Sequence, residues 1–211
     1  MKIGIIGSGL VAQTLAAGFM RHGHAVALGT RETSKLSAFA AEHPGARVVS
    51  MPQAAAFAEL AVLAVKGTAA VEALRGVSAQ LAGKTVIDTT NPISDAAPVH
   101  GVLSYFTGPN ESLLERLQHE FPQVRLVKAF NSVGAPCMVE PKLAGGPPTM
   151  FIAGDDAAAK GAVATLVEQL GWEVADMGPS VAARAIEPLC ILWCIPGFTS
   201  NDWTHAFKMI R

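Results

Sequence analysis

The segment best suited to chemistry is glycine-rich and covers residues 7–12, with the sequence GSGLVA. It fits the pattern G-x-G-x-x-G/A, and it stands between a short apolar run and an amphipathic one. In this pattern Gly7 permits a tight turn, Gly9 lets the backbone approach a pyrophosphate, and small Ala12 allows close helix packing. The pattern predicts a dinucleotide pyrophosphate at a helix N-terminus, whereas a tight turn without a ligand is the alternative. The predicted cofactor-binding residues of this loop are Gly7, Ser8, Gly9, Leu10 and Val11.

The residues after the second apolar run indicate which dinucleotide would bind. An NAD site usually places an acidic residue about 20 positions beyond the glycines, on the ribose 2′-hydroxyl. Here Thr30 and Arg31 occupy that place, and Lys35 follows one turn later. A hydroxyl, a guanidinium fork and an ammonium favour a 2′-phosphate, so the sequence predicts NADP. The alternative is that Arg31 is a surface residue paired with Glu32.

Polar side chains follow three more of the predicted strands. Ligands of open α/β sheets bind outside the carboxyl ends of the strands, where these residues would meet. Val65 and Lys66 close one strand, and Asn91 and Asn131 follow two others. All four are predicted to lie at the cofactor, with the asparagines near the nicotinamide or its ribose. Asparagine is also a routine turn residue, which is the alternative interpretation.

Short apolar runs alternate with amphipathic ones, which is typical of βαβ units in a parallel sheet. The pattern predicts an α/β, Rossmann-like, doubly wound and mainly parallel sheet of about eight strands. An NADP-binding domain is expected over residues 1–178, and a short helical C-terminal extension over 179–211. Predicted strands are Lys2 to Ile6, Ala25 to Leu28, Arg47 to Val49, Leu60 to Val65, Thr85 to Asp88, Arg125 to Ala129, Thr149 to Ala153 and Glu173 to Asp176.

Two further stretches stand out. The run from Thr89 to Glu111 is long and irregular for a connection, which is typical of a functional loop. The apolar run Pro188 to Phe198 is shorter than the roughly 20 residues of a membrane span, so a buried or interface helix is expected. An aromatic tail, formed by Trp193, Phe198, Trp203 and Phe207, predicts either core packing or a homodimer contact.

Composition excludes several classes of protein. Sixteen Lys and Arg stand against seventeen Asp and Glu, and 50% of the residues are hydrophobic. This balance argues against a nucleic-acid partner and against disorder. The three cysteines form no CxxC pair, so no metal site and no disulfide framework are predicted, and a reducing, cytoplasmic location is expected.

The sequence resembles the 8-hydroxy-5-deazaflavin-dependent NADP reductases, a family related to the oxidoreductase domain of the six-transmembrane ferric reductases. The resemblance lies in the segments KIGIIGSGLVAQTLA, GHAVALGTR, LAVKG, VIDTTNPI and VKAFNSVGA. It implies that the glycine loop holds NADP and that Thr30 and Arg31 grip the 2′-phosphate. It also implies that a deazaflavin or flavin, as second substrate, lies near Lys66, Asn91 and Asn131.

The function expected from these observations is hydride transfer between NADP(H) and a small-molecule electron acceptor such as a deazaflavin or flavin. No residue is assigned a catalytic role, because the cofactor rings carry hydride transfer and the protein aligns them. A non-catalytic NADP-binding sensor is the alternative, and a small imine or hydroxyacid reductase is the third hypothesis. His100, Tyr105 and Lys128 are the candidate proton donors for that third hypothesis.

Overall fold

A computed structural model describes residues 1–210. Six parallel strands form one sheet in the order β3-β2-β1-β4-β5-β6, and two further strands form a small second sheet. The order reverses between β1 and β4, which is the point where doubly wound sheets bind dinucleotides. The strands of the large sheet are β1 (Lys2–Ile6), β2 (Ala25–Thr30), β3 (Arg47–Ser50), β4 (Leu60–Leu63), β5 (Thr85–Asp88) and β6 (Arg125–Lys128).

Helices cover both faces of this sheet, because its central strands are apolar on both sides. One core cluster joins Ile5 to Phe19 and Val163, and the other joins Ile6 to Leu74 and Leu117. The helices are α1 (Leu10–Arg21), α2 (Ser37–Glu42), α3 (Met51–Phe57), α4 (Gly67–Arg75), α5 (Ser78–Leu81), α6 (Leu113–Glu120), α7 (Ala157–Gln169), α8 (Ala183–Ile186) and α9 (Pro188–Ser200).

The prediction of an α/β Rossmann-like fold is confirmed, but the prediction of about eight strands in the main sheet is wrong. The last two strands, β7 (Thr149–Ile152) and β8 (Glu173–Asp176), pair in parallel with each other. They reach the main sheet through one antiparallel bridge, between Lys128 and Ala153. Because that bridge runs against the parallel direction, the ladder of β6 does not continue into β7.

The C-terminal segment returns along the small sheet after α9. The Thr149 amide donates to the Phe207 carbonyl at 2.9 Å, and Trp193 in α9 donates to the His205 carbonyl at 2.8 Å. Leu192 and Phe198 of α9 remain 55% and 48% exposed, and the homodimer contact there stays a prediction.

The helical run Ser180–Ser200 is long and apolar enough to cross a membrane by length and composition alone. Only 33% of its apolar window is buried in the fold. A single helix of this kind is weak evidence of a membrane span, since core helices of soluble proteins can have the same length and composition. The cytoplasmic location stays a prediction.

Ser50 and Ser34 both lie near the start of a helix, but only Ser50 caps one. Ser50 accepts from the Gln53 amide, and the Gln53 side chain accepts from the Ser50 amide, which completes a capping box. Ser34 caps no helix, because a 3₁₀ turn over Thr33–Leu36 precedes α2.

We expect Ser50→Ala to lower the free energy of unfolding by about 1 kcal/mol, because it removes an N-cap. The matched control is Ser34→Ala, which removes only an exposed contact to Glu32. Urea denaturation of both variants is the measurement. Equal losses would contradict the capping role of Ser50.

Candidate functional site

The glycine turn after β1 is closed on one side and open on the other. Gly7 has a φ of 143°, and a Cβ there would lie 2.1 Å from the Ala64 carbonyl oxygen. Only glycine can therefore occupy position 7 without displacing Ala64, which directly follows β4. Gly9 is the N-cap of α1, and a Cβ built there would have no heavy atom within 4 Å among the described residues. The turn is thus locked against the sheet at Gly7 and open to a ligand at Gly9.

The residues around Gly9 leave the first turn of α1 accessible. The first amides of any α-helix have no partner within the helix, and no side chain of residues 1–210 caps those of α1. The Ser8 carbonyl accepts from the Gln13 side chain at 2.9 Å, which fixes the turn. Leu10 is 69% exposed at the mouth, and Val11 is half-buried. An anion at this position would meet free N–H groups and the positive end of the helix dipole.

The tip of β2 presents a buried hydroxyl beside an exposed guanidinium. Thr30 is buried, and its hydroxyl lies 3.2 Å from both the carbonyl oxygen and the amide of Glu32. Arg31 is exposed and forms no ion pair with any of residues 1–210. Glu32 instead pairs with Lys35 at 3.0 Å, and the Lys35 contact lowers the pKa of Glu32. The alternative of an Arg31–Glu32 ion pair is therefore wrong. Arg31, unlike Lys35, has no ion-pair partner within residues 1–210.

The residues that follow β4, β5 and β6 meet at the same sheet edge. Val65 is half-buried and Lys66 is exposed at the start of α4. Gly67 is packed so tightly that a Cβ would lie 1.9 Å from the Asn91 carbonyl oxygen. The loop after β4 is therefore held against the loop after β5, on the side where Asn131 lies.

Asn91 and Asn131 bond to each other. The Asn91 Nδ2 donates to the Asn131 backbone carbonyl at 2.7 Å, and the Asn131 Nδ2 donates to the Asn91 Oδ1 at 3.0 Å. Asn131 also donates to the Ile186 carbonyl at 3.1 Å, while its buried Oδ1 has no hydrogen-bond partner within the described chain. Phe130, just before it, adopts a φ of 59°, a rare conformation for a bulky residue. This turn ends β6 and directs Asn131 toward Asn91.

Sequence reasoning missed a buried charge cluster directly behind these asparagines. Lys128 has no exposed side-chain surface, and its ammonium lies 2.7 Å from Asp88 and 2.8 Å from Glu187. Burial lowers the pKa of Lys128, but the two carboxylates outweigh it and the net shift is upward. Asp88 and Lys128 end neighbouring apolar strands in matched register. That pairing of opposite charges at two strand ends is the signal that could have revealed the cluster.

The long loop after β5 borders a cavity, and the functional role predicted for this loop stays a prediction. A cavity of about 200 Å³ lies between this loop and the start of the C-terminal helices. Tyr105 lines it and donates to the Glu187 carbonyl at 2.7 Å, and burial raises the pKa of Tyr105. The aromatic tail lies elsewhere: Trp193 packs against Trp203 at 5.6 Å and closely over Gly134.

Comparison with known proteins fits this geometry. The model of the family described as NADP oxidoreductase, coenzyme F420-dependent, matches residues 2–92. A crystal structure from Arthrobacter sp. FB24, assigned as an F420-dependent NADP reductase, is 35% identical over all of both chains, with a TM-score of 0.92.

Two other similarities are more distant. Metalloreductase STEAP3 of Rattus norvegicus is 28% identical over 199 residues, and the match covers 92% of this chain but only 38% of that protein. The imine reductase of Streptomyces aurantiacus is 18% identical, with a TM-score of 0.68 over 95% of this chain and 64% of that one, which shows a shared fold alone. The full-length similarity to the Arthrobacter protein shows the family: this chain belongs to the coenzyme F420-dependent NADP oxidoreductases.

Proposed function

We propose that this chain transfers hydride between NADP(H) and a deazaflavin, a flavin or a similar ring compound. The observation that carries the proposal is the succession of three features along one sheet edge. In the order of the strands that they follow, these features are Arg31 after β2, the open turn at Gly9 after β1, and the hydrogen-bonded pair of Asn91 and Asn131 after β5 and β6. This order matches that of the adenosine 2′-phosphate, the pyrophosphate and the nicotinamide along NADP, laid across a switch point. The similarity to the Arthrobacter protein, assigned as an F420-dependent NADP reductase, and to rat metalloreductase STEAP3 supports a reductase.

At the adenosine end, the protein would bind the phosphates by charge and by backbone amides. The first turn of α1 would hold the pyrophosphate, with Gly9 leaving the approach clear. Arg31 would donate its fork of N–H groups to the 2′-phosphate, and Thr30 would contribute its hydroxyl. Lys35 would add charge only if it exchanged its contact with Glu32 for the phosphate.

At the other end, the protein would orient a ring rather than move a proton. The bound nicotinamide supplies the hydride chemistry, and alignment is the contribution of the protein. The buried Oδ1 of Asn131 lacks a donor, so it fits the amide N–H of a carboxamide. The Tyr105 hydroxyl donates to a backbone carbonyl, and the Lys128 ammonium is buried against two carboxylates and the Thr90 carbonyl, so neither fits the role of a proton donor.

The cavity beside the long loop supports an enzyme over a non-catalytic sensor. Its walls combine Tyr105, Pro109, Pro188 and Ile191 with the charged residues Glu111, Arg184 and Glu187. Apolar walls with a few polar groups are typical of a small-molecule site. The third hypothesis, an imine or hydroxyacid reductase, needs a proton donor. Tyr105 and Lys128 do not fit that role, and His100, the remaining candidate, lies exposed in the long loop with a φ of 50°.

The experiment is a turnover assay with a panel of acceptors. Purified protein and NADPH are mixed in turn with 8-hydroxy-5-deazaflavin, FMN and FAD, and loss of the reduced-nicotinamide absorbance is followed. We expect oxidation of NADPH with one ring compound and slower oxidation of NADH. Tight NADPH binding without turnover on any ring would favour the sensor instead.

A further inference from the structure

We infer that Lys128 is the positioning residue for the Asn91–Asn131 pair, and through it for the nicotinamide end of the dinucleotide. This inference rests on the proposed function, which places that end against the two asparagines. Lys128 touches neither asparagine side chain in the contacts described. It contacts instead three chain segments that surround the pair and hold it in place.

The Lys128 ammonium lies against oxygen atoms of three different structural features. It lies 2.7 Å from Asp88 at the end of β5 and 2.8 Å from Glu187 at the start of α9. It donates to the Thr90 carbonyl in the long loop, also at 2.8 Å. One buried side chain therefore ties a strand end, a loop and the C-terminal helix together.

These attachment points lie next to the asparagines in the chain. Thr90 immediately precedes Asn91, so the hydrogen bond from Lys128 to the Thr90 carbonyl holds the peptide group that joins these two residues. Glu187 immediately follows Ile186, whose carbonyl accepts from the Asn131 side chain at 3.1 Å. Without Lys128, each of these two anchors would lose its attachment to β6.

The carboxylates of the cluster are also held from their other sides. Asp88 accepts from the Thr90 amide at 2.9 Å and hydroxyl at 2.7 Å. Glu187 accepts from the first amides of α6, those of Leu113 and Leu114, at 2.9 and 3.0 Å. The helix N-terminus supports the excess negative charge that one ammonium leaves on two carboxylates.

Stability alone is a weak reason for this cluster. Apolar residues of similar volume often replace a buried ion triad without loss, because desolvation offsets the Coulomb attraction. The best-attested use of such groups is to fix one arrangement over others. Here the arrangement fixed is the meeting of Asn91, Asn131 and the C-terminal segment.

The test compares two ligands, NADPH and its fragment 2′,5′-ADP, which lacks the nicotinamide. For Lys128→Met we expect the Kd for NADPH to rise about tenfold, while the Kd for 2′,5′-ADP stays within about twofold. If Lys128 had a purely structural role, the substitution would weaken the binding of both ligands equally. The control is Lys84→Met, which removes a lysine that donates to the Ala55 carbonyl at the opposite sheet edge.

A second variant guards against misfolding, because Lys128→Met leaves two buried carboxylates without their cation. Asp88→Asn combined with Lys128→Met keeps one formal negative charge in the cluster, as in the natural protein. The same split between the two ligands is expected for the double variant. Equal weakening of both ligands in folded protein, or no change in either, would overturn the inference.

The binding titrations test this inference, whereas the turnover assay tests the proposed function, so the two can fail separately. If the natural protein fails to oxidise NADPH with any ring compound, the proposed hydride transfer fails. The positioning role of Lys128 is still decided, because it is measured by the difference between the whole dinucleotide and its fragment.

Discussion

Replacing Arg31 with alanine is expected to weaken NADPH binding about 100-fold and to leave NADH binding nearly unchanged, because two charge-assisted hydrogen bonds to the 2′-phosphate are lost. The structure makes this a clean substitution. The Arg31 side chain is exposed and has no ion pair within residues 1–210, so its removal disturbs no internal contact of that kind. Titration of both nucleotides by fluorescence measures the two dissociation constants.

The matched control is Arg125→Ala. Arg125 is also exposed, but it begins β6 at the opposite sheet edge and pairs with Asp156 at 3.4 Å. It should leave both affinities unchanged. A loss of NADH binding as large as the loss of NADPH binding in Arg31→Ala would contradict the 2′-phosphate role.

Replacing Gly9 with valine is expected to abolish binding of both nucleotides while the protein stays folded. Gly9 has φ −75° and ψ 180°, which any residue can adopt, and its Cβ direction is open. The new side chain would therefore occupy only the space where the pyrophosphate belongs. Binding titrations and a thermal melt of the same sample measure the two properties.

Gly7→Ala provides the contrast. Its φ of 143° and the 2.1 Å approach to the Ala64 carbonyl oxygen predict a large loss of stability. The glycine turn would then have two separable roles, structure at Gly7 and ligand access at Gly9. Unimpaired nucleotide binding by Gly9→Val would mean that the segment is a turn and no more.

Most of the fold could be predicted from local patterns. The eight apolar runs are all strands, and β1, β5 and β8 have the predicted bounds. The division into a six-stranded and a two-stranded sheet could not be predicted, because it depends on which way β7 runs beside β6. Strand direction at a sheet edge is set by the path of the preceding connection, and the irregular run before Thr149 has no period that indicates it.

The candidate site divides in the same way. The glycine turn and the Thr30–Arg31 pair are two short motifs at a known spacing of about 20 residues, so their shared location could be predicted. The cluster of Asp88, Lys128 and Glu187 joins residues from three distant segments, and Glu187 in particular follows a weakly patterned stretch. Its partners are set by how the C-terminal helix docks, which depends on packing across the whole chain.

The most direct test of the account is to follow the hydride itself. NADPH carrying deuterium at one face of C4 is incubated with the protein and 8-hydroxy-5-deazaflavin, and the reduced deazaflavin is analysed by mass spectrometry. Direct hydride transfer predicts that deuterium from only one of the two faces appears at carbon C5 of the product, because the protein holds the two rings in a single alignment. Product without deuterium from either face, or with equal transfer from both, would contradict direct hydride transfer in an aligned site.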